Sequence, residues 1–454
     1  MIEQSRLRGW RGILAAVIAL AAIASAGAYG FYIHRDHLFP YQQAWRLWQR
    51  IFPVSRRFHL ARRGAGRQSL SLEEIDRLAR IPYLRGYRPA SGRTSVRVHD
   101  PALAFDGLNL FVSGHAPQVT LMDMDGAVLK TWTADARKAF PGIAARGGRR
   151  EGARFFRCAR LLPDGGIVAM FEDIGLVRLD ASSQIRWSWV GHVHHDLFLD
   201  DAGSTWTLTY AKRTLPDRRS DEGAFDNLVV ELSPDGRLVR RVSILDSFRR
   251  SLYAPVLARI PRSSDIFHTN SLEVFDGSLA TRSPLFRKGN VLLSIRSLDL
   301  LAILDPDEKR IVWALTGQWH QQHCARLLPT GHLLLFDNLG AMRAASRVLE
   351  LDPFTQEVLW HFGGVPGEEL LSETSGFVRR LPNGNTIVGE SNYGRAVEVT
   401  PDRRVAWEFV NPNRAGKKND LIAILYDVQR VPRDLPALKG LAPEKPPASR
   451  AALR

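Results

Sequence analysis

An all-β chain folded as a six-bladed β-propeller, carried on an N-terminal transmembrane helix and a short helical stalk, is the architecture this sequence predicts. Three observations predict it. Short β-type runs alternate with turns from about residue 101, a four-strand unit recurs through that region, and an uncharged stretch near the start is long enough to cross a bilayer. The expected divisions are a membrane anchor at 1–34, an Arg-rich stalk at 35–100, the propeller at 101–432 and a disordered Pro-rich, basic tail at 433–454.

The anchor is "GILAAVIALAAIASAGAYGFYI", Gly12 to Ile33, 22 residues without a charge. Arg6, Arg8 and Arg11 precede it, and Arg35, Arg46 and Arg50 follow, so charge does not decide its orientation. Ala24-Ser25-Ala26 resembles a signal-peptidase site, but the apolar run continues past it, which favours an uncleaved anchor. The net charge of +15 is concentrated here: residues 1–100 hold 17 Arg, no Lys and 6 acidic residues. A basic excess beside a hydrophobic span points to an anionic membrane surface or a membrane protein partner, not to nucleic acid. In the stalk, Trp45, Trp48 and Phe52 fall at helical spacing, and Ser71 with Glu74 forms a capping box before an amphipathic run that ends at Pro82.

The repeat is visible in "CARLLPDGGIVAMFEDIGLVRLDASSQIRWSW" (158–189), "CARLLPTGHLLLFDNLGAMRAASRVLELDPFTQEVLWHF" (324–362) and "FVRRLPNGNTIVGESNYGRAVEVTPDRRVAWEF" (377–409). Each reads as strand, Pro-x-Gly turn, strand, loop, strand, turn and a strand bearing Trp. Segments 110–132, 195–242 and 268–315 fit more loosely, giving six units. One twisted sheet cannot cover both its apolar faces, whereas sheets packed face to face in a ring can. "DLIAILYDVQRVP" (420–432) supplies a late strand to close that ring.

In a propeller the innermost strand of each blade lines a central channel, so equivalent positions converge. Eight residues before the hairpin turn glycines Gly331, Gly203, Gly165 and Gly384 stand His323, His195, Arg157 and Gly376. Gly277 gives Thr269, and a one-residue bulge would bring His268 to the same place. Arg296, on the following strand, is within reach of the same channel mouth. Cys158 and Cys324, one step further on in their hairpins, are expected to be two free thiols on opposite sides of the ring. Three imidazoles beside a guanidinium suit a tetrahedral oxyanion. A neutral imidazole is also a nucleophile, and a nearby arginine keeps it neutral. Three histidines equally make a zinc constellation, although Arg296 would repel a cation.

The stretches "DIFHTNSLEVFDG…VLLSIRS", "QQHCARLLPTGHLLLFDN", "SRVLELDPFTQEVLW" and "RRLPNGNTIVGES" resemble the bacterial arylsulfotransferases that work without the nucleotide sulfate donor. The resemblance covers about residues 105–432. It implies a periplasmic propeller, here held on the inner membrane by a single pass, that moves a sulfuryl group from an aryl sulfate to a phenolic acceptor. It implies that His323 becomes sulfated while His195, His268 and Arg296 bind the sulfuryl oxygens, with no metal or other cofactor. The segment between Arg296 and His323 is short, which leaves substrate choice open. The competing expectation is a catalytically inactive, membrane-anchored propeller serving as scaffold or subunit of a membrane complex.

Overall fold

The computed structural model describes residues 88–442 apart from 91, 93, 145–150, 214, 216–223, 262–263, 341–344 and 417. The chain divides into two compact units, Met1–Ser69 and Leu70–Arg454, and every described residue belongs to the second. The anchor, the Trp-bearing stretch and the Ser71 capping box therefore lie outside the described residues. Among the described residues no helix is long and apolar enough to cross a membrane.

The second unit is all-β. Among the described residues it contains six antiparallel sheets of four or five strands and one small three-stranded sheet. In chain order, the second sheet holds Cys158–Leu161, Ile167–Phe171, Gly175–Leu179 and Ile185–Val190. The third runs from Val193–Leu199 to Leu238–Ser243, the fourth from Thr269–Val274 to Arg310–Thr316, and the fifth from His323–Leu327 to Val358–Phe362. Each is a meander, so its first strand lies at one edge and its last at the other.

The first sheet is assembled from both ends of the unit. Leu425–Val431 pairs antiparallel with Leu108–Ser113, followed by Gln118–Met122 and Val128–Thr133. The late strand read from the sequence thus meets the start of the repeat region. The sixth sheet opens with Phe377–Arg380 and gains a fifth strand, Ser95–His99, beyond Val405–Val410. Two boundaries read from the sequence change accordingly. Ser95–His99 belongs to a sheet and not to a helical stalk, because Val96 and Val98 pair across to Phe409 and Glu408. The tail does not begin at Arg433, because a 3-10 turn at Pro436–Leu438 buries Leu438 in the apolar cluster of the first two sheets.

The apolar core is divided among the sheet interfaces. One cluster joins Leu110, Val112 and Trp132 to Ala159, Ile167 and Phe171, and another joins Met170 and Leu176 to Val193 and Val230. Others lie between the third and fourth sheets, the fourth and fifth, and among the fifth, sixth and first. The outer-strand tryptophans fasten these interfaces by donating to turn carbonyls of the next sheet. Trp132 reaches Gly165 O (3.1 Å), Trp187 reaches Pro234 O (3.0 Å) and Trp360 reaches Pro401 O (2.9 Å). Trp407 reaches Met124 O (2.9 Å), joining the sixth sheet back to the first.

The first strands of successive sheets also meet one another. Arg160 in the second sheet pairs with Asp196 in the third (2.8 Å) and Asp427 in the first (3.0 Å). Arg326 in the fifth reaches Asp196 (3.0 Å), and Arg379 in the sixth reaches Asp427 (2.7 Å). Five first strands, far apart in sequence, thus converge on one ionic network. Buried charges persist only when paired in this way.

Candidate active site

The histidines enter just outside that network, at strand starts distorted by bulges. In the third sheet the pairing slips between His194 and Leu197, and in the fifth between His323 and Arg326. His195 (φ +64°) and Cys324 (φ +52°) take left-handed backbone there. Bulges of this kind re-aim side chains at the rim of a sheet. The fourth sheet slips between Thr269 and Ser271, but its first two strands are joined by a connection from Phe275 to Asn290. The connection after the His268 strand is longer than in the other two hairpins, and the one-residue slip between Thr269 and Ser271 is the bulge expected from the sequence. His268 arrives from the loop before its strand, with φ +48°.

The four sequence candidates are linked through His323 and His268: His323 lies within electrostatic reach of Arg296, His268 and His195, and His268 of His195. The His195 and His268 rings meet edge to face with centroids 4.8 Å apart. His323 feels Arg296, His268 and Arg157, and His195 feels His268, Arg157 and His323. At the corresponding place in the sixth sheet Gly376 has φ +112°, and a Cβ there would meet a Phe336 ring carbon at 2.7 Å, so no side chain enters at that position.

The hydrogen bonds of His323 fix its tautomer. Its Nδ1 lies 2.6 Å from Asn338 Oδ1 and 3.0 Å from the Gln321 carbonyl. Asn338 Nδ2 donates to the Ser372 and Ser375 carbonyls, which holds its oxygen toward the ring. Both partners accept, so Nδ1 carries the proton and Nε2 keeps its lone pair. Gln321 also accepts from Arg296 Nη2 through Oε1, and its own N–H is held by Asp299 Oδ1 at 2.7 Å. One residue thus ties the guanidinium to the imidazole.

Burial, then the charge of Arg296, holds His323 well below the ordinary imidazole pKa. Burial, then His268 and His194, does the same for His195. His194 stacks on Tyr210 (3.9 Å, 14°), contacts His195 Nδ1 to Nδ1 at 3.0 Å, and burial lowers it to about 3. The His194–His195 pair is therefore neutral.

The sequence reading gave no role to Arg157, although it stands at the same offset from its turn glycine as His195 and His323. Its Nε is 3.0 Å from Glu172 Oε2, and its guanidinium lies 4.4 Å from the centre of the Tyr426 ring. Burial pushes Glu172 up to about 7 against the pull of Arg157 and of the His195 N–H, which donates to Oε1 at 3.2 Å. Asn338, Gln321 and His194 were also missed, though all three adjoin motifs the sequence displays.

A cavity of about 40 Å³ lies among Arg157, His195, His323, Tyr426 and the ionic network. Cys158 and Cys324 both line it, free and buried. A larger cavity, about 290 Å³, lies elsewhere, by Asp200, Trp206, Glu273 and Leu328, and holds none of the candidate histidines. Among the described residues no three His, Cys, Asp or Glu side chains are placed to hold a metal ion.

Comparison with known proteins bears on this site. The family model described as arylsulfotransferase (ASST) matches residues 161–412, more than half of the chain. The chain belongs to the arylsulfotransferase family. The match spans His195 and His323 on their strands, His268 in the loop before its strand, and Arg296, which opens a 3-10 turn just after Val291–Ile295 and not on that strand. No curated protein matches the sequence. Among solved structures, it is similar to a protein of unknown function from Bacteroides caccae (TM-score 0.47, 10% identity, covering 71% of this chain and 98% of that one). Others are a streptogramin B lyase (0.42, 10%, 76% and 96%) and the WD40 β-propeller domain of Doa1 (0.35, 14%, 74% and 99%).

Proposed function

We propose that this protein transfers a sulfuryl group from an aryl sulfate to a phenol through a sulfohistidine on His323. The observation that carries the reading is the orientation of that ring: Nδ1–H is held by two acceptors, leaving an unprotonated Nε2 beside Arg296 in a buried, basic pocket. In the first half-reaction Nε2 attacks sulfur, the N–S bond forms, and the S–O bond to the phenol breaks. Arg296, His195 and His268 hold the sulfuryl oxygens and stabilise charge that develops on them. A protonated histidine supplies the proton that the departing phenolate takes up. A second phenol then attacks sulfur, returns a proton and frees Nε2, which gives ping-pong kinetics.

In this reading the six sheets are the blades of a six-bladed propeller and the first strands line its channel. The Arg160–Asp196–Arg326–Arg379–Asp427 network closes the channel below the histidines. The cavity has room for a sulfuryl group but not an aromatic ring, so donor and acceptor rings occupy the mouth in turn. Gly12 to Ile33 would hold the propeller on the periplasmic face of the inner membrane. His323→Ala should abolish transfer from 4-nitrophenyl sulfate to phenol with the fold retained, and persistent turnover by the folded variant would defeat the proposal.

A further inference from the structure

Two histidines flank the nucleophile, and their surroundings differ. His195 faces another imidazole, His194, across an Nδ1–Nδ1 contact of 3.0 Å. His268 faces a carboxylate: Asp265 Oδ2 lies 2.8 Å from its Nδ1. The other Asp265 oxygen, Oδ1, accepts the backbone N–H of His268 at 2.9 Å. Both oxygens thus hold one residue, by its ring and by its main chain. The loop carrying them is fixed at either side. The Phe225 N–H donates to the Ser264 carbonyl (2.6 Å), Thr269 N–H to Asn227 Oδ1 (2.8 Å), and Arg296 N–H to the His268 carbonyl (3.3 Å).

We infer that Asp265 is a positioning residue that fixes the proton on His268 Nδ1 and supports its imidazolium, making His268, and not His195, the group that exchanges a proton with the phenol oxygen. A carboxylate on Nδ1 orients the ring, so Nε2–H is the proton presented to the reacting face, and its negative charge offsets the positive charge of the doubly protonated ring. His195 has no such partner: adding a proton would place an imidazolium against buried His194 with Arg157 nearby. The electrostatics follow from the same contacts. Burial alone would raise Asp265, yet His268 and its hydrogen bonds bring the carboxyl down to about 2.

The inference rests on the sulfuryl-transfer reading and assigns its proton step. In sulfation of His323, the N–S bond forms, the S–O bond breaks with its electron pair going to the phenol oxygen, and His268 Nε2–H gives that oxygen its proton. In the return step the acceptor O–H gives a proton back to His268 Nε2, its oxygen bonds to sulfur, and the N–S pair returns to His323. His268 ends as it began, so no outside acid or base is consumed.

The test is Asp265→Asn, measured in the sulfation half-reaction with a series of aryl sulfates whose phenols range from acidic (4-nitrophenyl) to weakly acidic (phenyl). General acid assistance contributes about a hundredfold or more where the leaving oxygen is basic, so phenyl sulfate should lose about that much and 4-nitrophenyl sulfate less than about tenfold. An equal loss across the series, or none, overturns the assignment. A structural role would move all donors together and lower the melting temperature. Should Asp265→Asn not fold, NMR of the wild-type protein with isotope-labelled histidine decides: a protonated His268 Nδ1 is expected, and a bare Nδ1 overturns the inference. Sulfation of wild-type His323, checked by mass, tests the underlying reading separately.

Discussion

Replacing Asn338 with Ala isolates the contact that orients His323, the proposed nucleophile. The wild-type side chain is fully buried, accepts from His323 Nδ1 at 2.6 Å and donates to Ser372 O at 2.7 Å and to the Ser375 carbonyl. In Asn338→Ala the Gln321 carbonyl, 3.0 Å away, remains as an acceptor, so the Nδ1–H tautomer is weakened and not lost. One net hydrogen bond is worth about 0.5–1.5 kcal/mol, so the ratio of the Nδ1–H to the Nε2–H tautomer should fall about two- to thirteenfold, and the sulfation rate by up to that factor. The two serine carbonyls lose their donor, which costs about 1–3 kcal/mol of stability. The assay is the burst of 4-nitrophenol on rapid mixing with the sulfate ester, paired with a denaturant melt. A lower melt with an unchanged burst rate would refute the tautomer argument and leave Asn338 a purely structural residue.

Four further outcomes follow from the same coordinates. Burial and Arg296 depress His323, so its Nε2 stays unprotonated as pH falls below the ordinary imidazole value near 6.5, and the burst rate should hold there. A burst that fails at about pH 6.5 would show an unshifted imidazole. Arg296→Gln removes one of the two leading causes and the main cationic oxyanion donor, so the acid limb should move up toward 6.5 and donor affinity should drop, both read from burst kinetics against pH and substrate. Asp196→Ala takes its carboxylate partner from buried Arg326 and leaves Arg160 with Asp427 alone, and should cost about 3 kcal/mol in a denaturant melt. Trp407→Ala empties a fully buried site stacked on Phe409 (5.8 Å) and loses the link to Met124, for a similar cost of about 3–5 kcal/mol.

Much of this was legible in the sequence, for identifiable reasons. The turn glycines recur at one spacing because the first two strands of the second, third, fifth and sixth sheets are joined by connections of one length, three of them Pro-x-Gly turns. The turn glycines Gly165, Gly203, Gly331 and Gly384 take φ from +79° to +87°, which glycine alone adopts without strain. Aligning on them locates His195, His323 and Arg157 because equal spacing along equivalent strands means equal depth. His268 fits less directly, since its hairpin has a longer connection and a one-residue bulge between Thr269 and Ser271. Asn338 and Asp265 were out of reach because their roles depend on ring orientation and a loop, neither of which spacing encodes. Arg157 was displayed and passed over, since an arginine at a histidine position breaks the pattern unless the chemistry is considered as a pocket. The strand Ser95–His99 was assigned to the stalk because it is separated from the strand it pairs with by more than 300 residues.

The central claim is that His323 takes the sulfuryl group, and intact-mass analysis tests it most directly. The full chain is exposed briefly to 4-nitrophenyl sulfate without acceptor, quenched at neutral or alkaline pH, and digested for peptide mapping. The account predicts a gain of one sulfuryl group on the peptide containing His323, lost on addition of phenol and absent in His323→Ala. A protein that releases 4-nitrophenol while its mass stays unchanged, or that carries the group on another residue, would contradict it.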